Sequence, residues 1–439
     1  MIPTLNRAGR MGLLSLGLAL SGCGLFDDEV ILEGEREPVR VEAAFDTGAL
    51  APPPLLLTPA STNTAWTHKN GSAAHSISHP ALAAAPSRIW SVGVGQGSGR
   101  DSRLTATPVV ADGRIYTLDA ASRVTAVDSG GGTVWRVSLA PPREAGDQGF
   151  GGGVVLGGGR LFATTGFADV IALDPATGEE LWRRRVDAPF RAAPVYDAGI
   201  LVAVSRDDIV YGLDPADGRV LWRRQGARGS AGLIGGAAPA AAAGIAVVPF
   251  SSGEVSGIVT RTGRRIWAVA LSGGRRGLTR ADIPDITGDP VIAGDAVYVA
   301  NQSGALSAID RRSGARLWTR GDGAFGPVWP EGGSIFFVSD EAVLIRADAS
   351  TGETIWRQEL RQYRDPDDRD DVILYHGPIL AGGRLLLASS RGDLFAFDPD
   401  TGAELGEPLN VPGGAGVQPA VADGTLYILS RGATLHAYR

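Results

Sequence analysis

The first place to look for chemistry is the chain's one thiol. Cys23 is the sole cysteine among 439 residues, so in an exported protein it has no disulfide partner. It follows Leu20-Ser21-Gly22, which close a short apolar run (11–20) behind Arg7 and Arg10. That order matches a bacterial lipoprotein export signal, with cleavage before Cys23 and a diacylglycerol on its sulfur. The alternative is an ordinary signal peptide with a chance cysteine. Acyl chains would hold the mature protein to a membrane surface without spanning it. Residue 24 is Gly, not the Asp that marks inner-membrane retention in enteric bacteria. The expected location is therefore the periplasmic side of the outer membrane.

Other candidate groups are weaker. His75-x-x-x-His79 would place two imidazoles on one helical turn, as a pair of metal ligands. No further cysteine or acid stands at ligand spacing, so residues 61–86 are expected to pack on the rest of the fold, anchored by Trp66, with no metal. Asp128, Asp174, Asp214, Asp310, Asp348 and Asp398 recur once per repeat. Carboxylates that perform acid–base work are unique to one place, so these read as turn residues. No phosphate-binding glycine loop, Ser-His-Asp spacing or Cys/His cluster is present. The expectation is a chain with no catalytic residues and no cofactor.

The elements that carry these groups follow from the repeat. Asp174-Pro175-Ala176-Thr177-Gly178-Glu179-Glu180-Leu181-Trp182 returns as DPADGRVLW from Asp214, DRRSGARLW from Asp310 and DASTGETIW from Asp348. Asp and Pro start a turn, Gly supplies a left-handed residue, and Trp follows four residues later on the next strand. The Gly-x-x-x-Trp unit ends at Trp135, Trp182, Trp222, Trp267, Trp318 and Trp356, and a seventh has Gly406 in the Trp position. A second turn precedes each, at Gly113, Gly159, Gly199, Gly244, Gly294, Gly333 and Gly383, and appears once more at Gly424. The eighth unit thus lacks its last strand at the C-terminus, while 88–92 supplies a Trp-bearing strand without a preceding turn. The two ends complete one unit. About 44 residues per unit over 87–439 fits four-stranded blades. The predicted fold is all-β: an eight-bladed β-propeller of four-stranded antiparallel blades, its last blade closed by N- and C-terminal strands. The expected divisions are signal peptide 1–22, lipidated tether 23–60, ring-packing segment 61–86 and propeller 87–439.

Net charge is −7 at pH 7, and removing Arg7 and Arg10 with the signal makes it −7 − 2 = −9. A general nucleic-acid binder would carry a basic field instead. No apolar run reaches 18 residues, so no spanning helix is expected. Three connections between blades are longer than turns: 226–236, 272–289 and the densely charged 361–371. Long loops on a rigid ring are where recognition is usually placed; 361–371 reads rather as a solvated insertion.

The hairpin unit resembles the repeat of the pyrroloquinoline-quinone propellers of quinoprotein dehydrogenases. Eight such units behind a lipoprotein signal resemble the BamB family, lipoproteins of the outer-membrane β-barrel assembly machinery. That resemblance implies binding to the periplasmic domains of the barrel-inserting subunit through two neighbouring loops. In the family these read Leu-x-Leu-Arg-Gly and Asp-x-Asp-x-x-Pro-Val. Here Leu233 and Gly235 match the first, while Ala231 and Ile234 depart; Asp285, Pro290 and Val291 match the second, while Thr287 departs. The implied partner-binding residues are Leu233, Ile234, Gly235, Arg280, Asp282 and Asp285, with Arg280 a possible stand-in for the missing Arg. Contact with nascent outer-membrane proteins is left open. The quinone-dependent dehydrogenases resembled by the repeats use a vicinal cysteine pair, a Ca²⁺ held by Glu and Asn, and a catalytic Asp; this chain has one cysteine. A lipid-anchored scaffold of another envelope complex remains the second reading.

Overall fold

The turns are where local sequence dictates structure most directly. In the computed structural model, which describes residues 54–229, 235–271 and 283–439, the Asp174 carboxylate accepts hydrogen bonds from the Ala176 and Thr177 N–H groups at 2.6 and 3.1 Å. Gly178 follows at φ +77° and donates its N–H to the Asp174 carbonyl. Asp310, Asp348 and Asp398 hold their turns in the same way. The shorter upstream turns place two successive residues at positive φ, as at Asp112-Gly113 and Ala198-Gly199, the signature of a two-residue hairpin.

These turns connect eight four-stranded antiparallel sheets. In the first blade Val109–Ala111, Arg114–Leu118, Arg123–Asp128 and Thr133–Ser138 pair in that order from the centre outward. The middle strands are buried along nearly their whole length, because neighbouring blades cover both faces, and they read as near-continuous apolar runs. The outer strands are largely exposed or half-buried and carry charge at the free edge, as in Glu180–Arg185. The last blade is completed by Arg88–Gly93 pairing antiparallel with Thr434–Tyr438, with Trp90 opposite Ala437 and Val92 opposite Leu435. The eight-bladed ring with a shared final blade is as the repeat count predicts.

The recurring Trp is a latch between blades. Its indole N–H donates to a backbone carbonyl in the next blade's turn before the outer strand: Trp135 to Pro175, Trp182 to Pro215, Trp222 to Thr260, Trp267 to Arg311, Trp318 to Ala349 and Trp356 to Pro399. Trp90 does the same to Ser129. The ring lies over the turn glycine, where a Cβ on Gly218 would stand 2.5 Å from Trp182. Gly therefore serves twice, in its dihedral and in the room it leaves. The missing Trp at Gly406 now has a physical reason. Blade eight is built from the two chain ends and has no such turn for blade seven to grip.

Residues 55–83 run across one end of the ring as a strap. Leu55 N–H meets the Asp400 carboxylate, and Thr58 meets Glu331. Asn63 meets blade eight at Val421, Trp66 pairs with Val110 of blade one, and the Thr67 carbonyl accepts from Leu156 of blade two. Ala73 and Ala74 accept from Ala241 and Ile292, and Pro80 from Gly382. Trp66 is fully buried and stacks on Trp329 at 6.3 Å. The ring-packing part thus includes Leu55 and Thr58, which the sequence places in the tether.

Candidate functional site

Three strap histidines fix its path. His68 Nε2 accepts from the Tyr196 N–H, and its Nδ1 lies 2.8 Å from the Thr67 hydroxyl. His75 Nδ1 donates to the Pro290 carbonyl at 2.9 Å. His79 bridges the Thr58 carbonyl and the Gly383 N–H. Burial lowers His68 to about 3 and His75 to about 4, because the charged form loses its water. His75 and His79 point to different blades, five and seven, rather than converging as a ligand pair. Among the described residues no group of three or more His, Cys, Asp or Glu is placed to hold a metal ion.

The strap leaves the opposite end open. There, where each outer strand passes to the next blade's inner strand, a central cavity of about 860 Å³ opens among the connections. Its wall includes Gly235, Gly236, Thr287 and Asp289 on one side and Phe325 and 371–375 on another, and Lys69 reaches it from the strap. Lys69 is the only lysine of the chain. Its ammonium lies 2.8 Å from Asp289, a carboxylate that also accepts from the Ala238 N–H at 2.7 Å. One buried acid thus ties the strap, the connection into blade four and the inner strand of blade five. His376, also on the wall, is lowered to about 4 by burial and then by the nearby Lys69 charge.

A second buried acid organises the two long connections. Asp285 is 0% exposed, and Arg191 Nη1 stands 2.6 Å from its Oδ2. Arg191 comes from the connection between blades two and three, and its guanidinium passes Gly236 so closely that a Cβ there would lie 2.6 Å from Nε. The Arg191–Asp285 pair therefore pins together the bases of 226–236 and 272–289. This corrects the reading of Asp285 as a charge presented to a partner: the carboxylate is inside, and it positions the loop. Gly235, at φ +75°, lies on the cavity wall. Leu233, Ile234, Arg280 and Asp282 lie outside the described residues, as does Cys23. Sequence reasoning missed Arg191 and Lys69. Lys69 had a signal in its rarity, and Arg191 had none.

Comparison with known proteins places the chain in a family. Residues 120–358 match the model of the family described as outer membrane protein assembly factor BamB. The chain belongs to the BamB family. The outer membrane protein assembly factor BamB of Salmonella typhimurium is 32% identical over 357 residues, covering 80% of this chain and 88% of that one. The Escherichia coli BamB is 31% identical over 361 residues, with the same coverage. The crystal structure of BamB from Moraxella catarrhalis superposes with a TM-score of 0.68 at 18% identity, covering 81% of this chain and all of that one. A quinohemoprotein alcohol dehydrogenase from Comamonas testosteroni superposes at 0.65 with 15% identity over 86% of this chain and 81% of that one, a likeness of fold alone. The BamB relatives are thus matched along most of their length, propeller included. Among the described residues no helix is long and apolar enough to cross a membrane.

Proposed function

We propose that the chain is a non-catalytic scaffold of the outer-membrane β-barrel assembly machinery, held by acyl chains on Cys23 to the inner face of the outer membrane. It docks the periplasmic domains of the barrel-inserting subunit through the tips of 226–236 and 272–289, with Leu233, Ile234 and Gly235 in the first and Arg280 and Asp282 in the second. Asp285 acts from behind, through Arg191. The observation that carries this reading is that a BamB-family propeller brings the bases of these two connections together by a buried ion pair. A rigid base restricts what the tips must lose in freedom on binding, which favours affinity.

The test is co-purification of the lipidated protein with the barrel-inserting subunit, beside a Leu233→Asp/Ile234→Asp variant. Loss of the subunit from the variant, with unfolding unchanged, is the expected result. Normal yield from the variant refutes the docking surface. Recovery of an unrelated envelope complex with the unaltered protein refutes the assembly role. Mass spectrometry of the mature N-terminus tests the anchor: a Cys23→Ser protein must lose the acyl mass.

A further inference from the structure

The exposed apolar residues of the ring fall into two sets. Ile89, Val134, Leu181, Leu221 and Leu317 each precede a latch Trp on an outer strand, and Leu405 precedes Gly406. Val220 stands one residue further back on the strand of Leu221. These repeat with the blades and reflect the edge position. Phe325, Val372 and Leu374 do not repeat. They are 51%, 53% and 54% exposed and line one side of the central cavity's mouth, from two adjacent connections. Val372 and Leu374 stand two residues apart, the spacing that puts side chains on one face of an extended strand. Val372 ends a small hairpin, Tyr363–Asp365 paired with Asp370–Val372, which forms a sheet of its own separate from the blades. Three large apolar side chains left exposed on the wall of one concave mouth mark an interaction site.

Charge defines what would cover it. Residues 87–271 carry twenty arginines and seventeen acids, whereas 283–439 carry thirteen arginines and twenty-two acids. The hairpin lies in the acidic half: 361–371 holds five aspartates against Arg361, Arg364 and Arg369, a net −2. Its Asp367, Asp368 and Asp370 are exposed and, among the described residues, have no ion-pair partner, while Asp371 is held by Arg391 at 2.5 Å. The chain's own tether is a poor occupant, since 24–53 holds eight acids and two arginines. A second copy would meet the same acidic hairpin.

We infer that this mouth is a second docking surface, for an extended segment of another polypeptide whose apolar side chains alternate with basic ones. The apolar side chains lie on Phe325, Val372 and Leu374, and the cationic ones meet the hairpin aspartates. It rests on the scaffold reading but uses the far wall of the cavity, so loss of co-purification through 226–236 and loss of binding here are separate outcomes.

The probe is a fluorescent twelve-residue peptide alternating Leu or Phe with Arg, titrated by anisotropy. Two controls replace every Arg by Glu, or every apolar residue by Ser. The Arg peptide is expected to bind at least about tenfold more tightly than either control. A Phe325→Ser/Leu374→Ser protein should lose about tenfold. An Asp367→Asn/Asp368→Asn/Asp370→Asn protein should bind more weakly and with a flatter salt dependence. Both variants alter exposed side chains, and an unchanged urea midpoint confirms their fold. Equal binding of the Glu peptide, or indifference to both variants, overturns the inference. So does concentration-dependent self-association in sedimentation that the Phe325→Ser/Leu374→Ser change abolishes, since that would make the occupant a second copy.

Discussion

Removing the Asp285 carboxylate is the sharpest test of how the proposed docking face is held. The pair is short, 2.6 Å, and side-chain exposure is 7% for Arg191 and 0% for Asp285. Asp285→Ala strands a buried guanidinium, and breaking such a pair from one side costs about 3–5 kcal/mol. A propeller of this size unfolds with an entropy of roughly 0.8 kcal/mol per kelvin, so the midpoint should fall by about 4–6 °C. Arg191→Met alone should cost a similar amount, because it leaves the carboxylate buried. The Arg191→Met/Asp285→Leu protein removes both charges and keeps apolar volume, and it should recover most of that loss. Urea unfolding of the unaltered protein, Asp285→Leu, Arg191→Met and Arg191→Met/Asp285→Leu closes a double-mutant cycle, and its coupling should reach about 4 kcal/mol or more, because the double costs far less than the summed singles. The reasoning fails if Asp285→Ala costs under about 1 kcal/mol, or if the double variant is destabilised by the sum of the singles. A stable double variant should also bind the barrel-inserting subunit more weakly, since the loop bases would be tied by packing alone.

Other perturbations test the rest of the frame. His68 and His75 are neutral when folded, with pKa lowered to about 3 and 4, but titrate near 6.5 when unfolded. The unfolded chain therefore takes up protons first. Stability is whole above about pH 6.5 and falls between there and pH 4, by roughly 1.4 kcal/mol per pH unit for each ring; urea midpoints at pH 7.5 and 5 measure it, and His75→Asn should reduce the slope. Lys69→Met leaves Asp289 with the Ala238 N–H but without its cation, and limited chymotrypsin digestion should cut the strap near Trp66 faster than in the unaltered protein. Trp182→Phe loses the bond to Pro215 and about 1 kcal/mol. Gly218→Ala should cost more, because the added methyl meets Trp182 at 2.5 Å and φ is +70°; thermal melts rank the two.

The ring was legible because its determinants are local. Asp, Gly and Trp at fixed spacing specify a hairpin, and repetition specifies stacking. Even the closing strand at 88–93 could be read, since a Trp without a preceding turn needs a partner from elsewhere. The strap was legible only as something that packs. Its bonds run largely through backbone groups to all eight blades, and backbone groups leave no pattern in sequence. Asp285 was misread for a related reason. An acid beside a long connection looks exposed, and nothing near it announces Arg191, ninety-four residues earlier and two blades away. The hairpin at 363–372 looked like solvated charge because aspartates dominate its composition, while Phe325 comes to the same cavity wall only in three dimensions.

The seam of the final blade has a temporal consequence. Ser91 and His436 lie 345 residues apart in sequence, yet they meet across that seam at 2.7 Å. A polypeptide emerging N-terminus first can assemble seven sectors while the eighth still waits for its closing partner. Only the arrival of 434–438 fastens the circle. A molecule cut short by a few residues would stay unbuttoned, with Arg88–Gly93 left as a bare edge open to proteases.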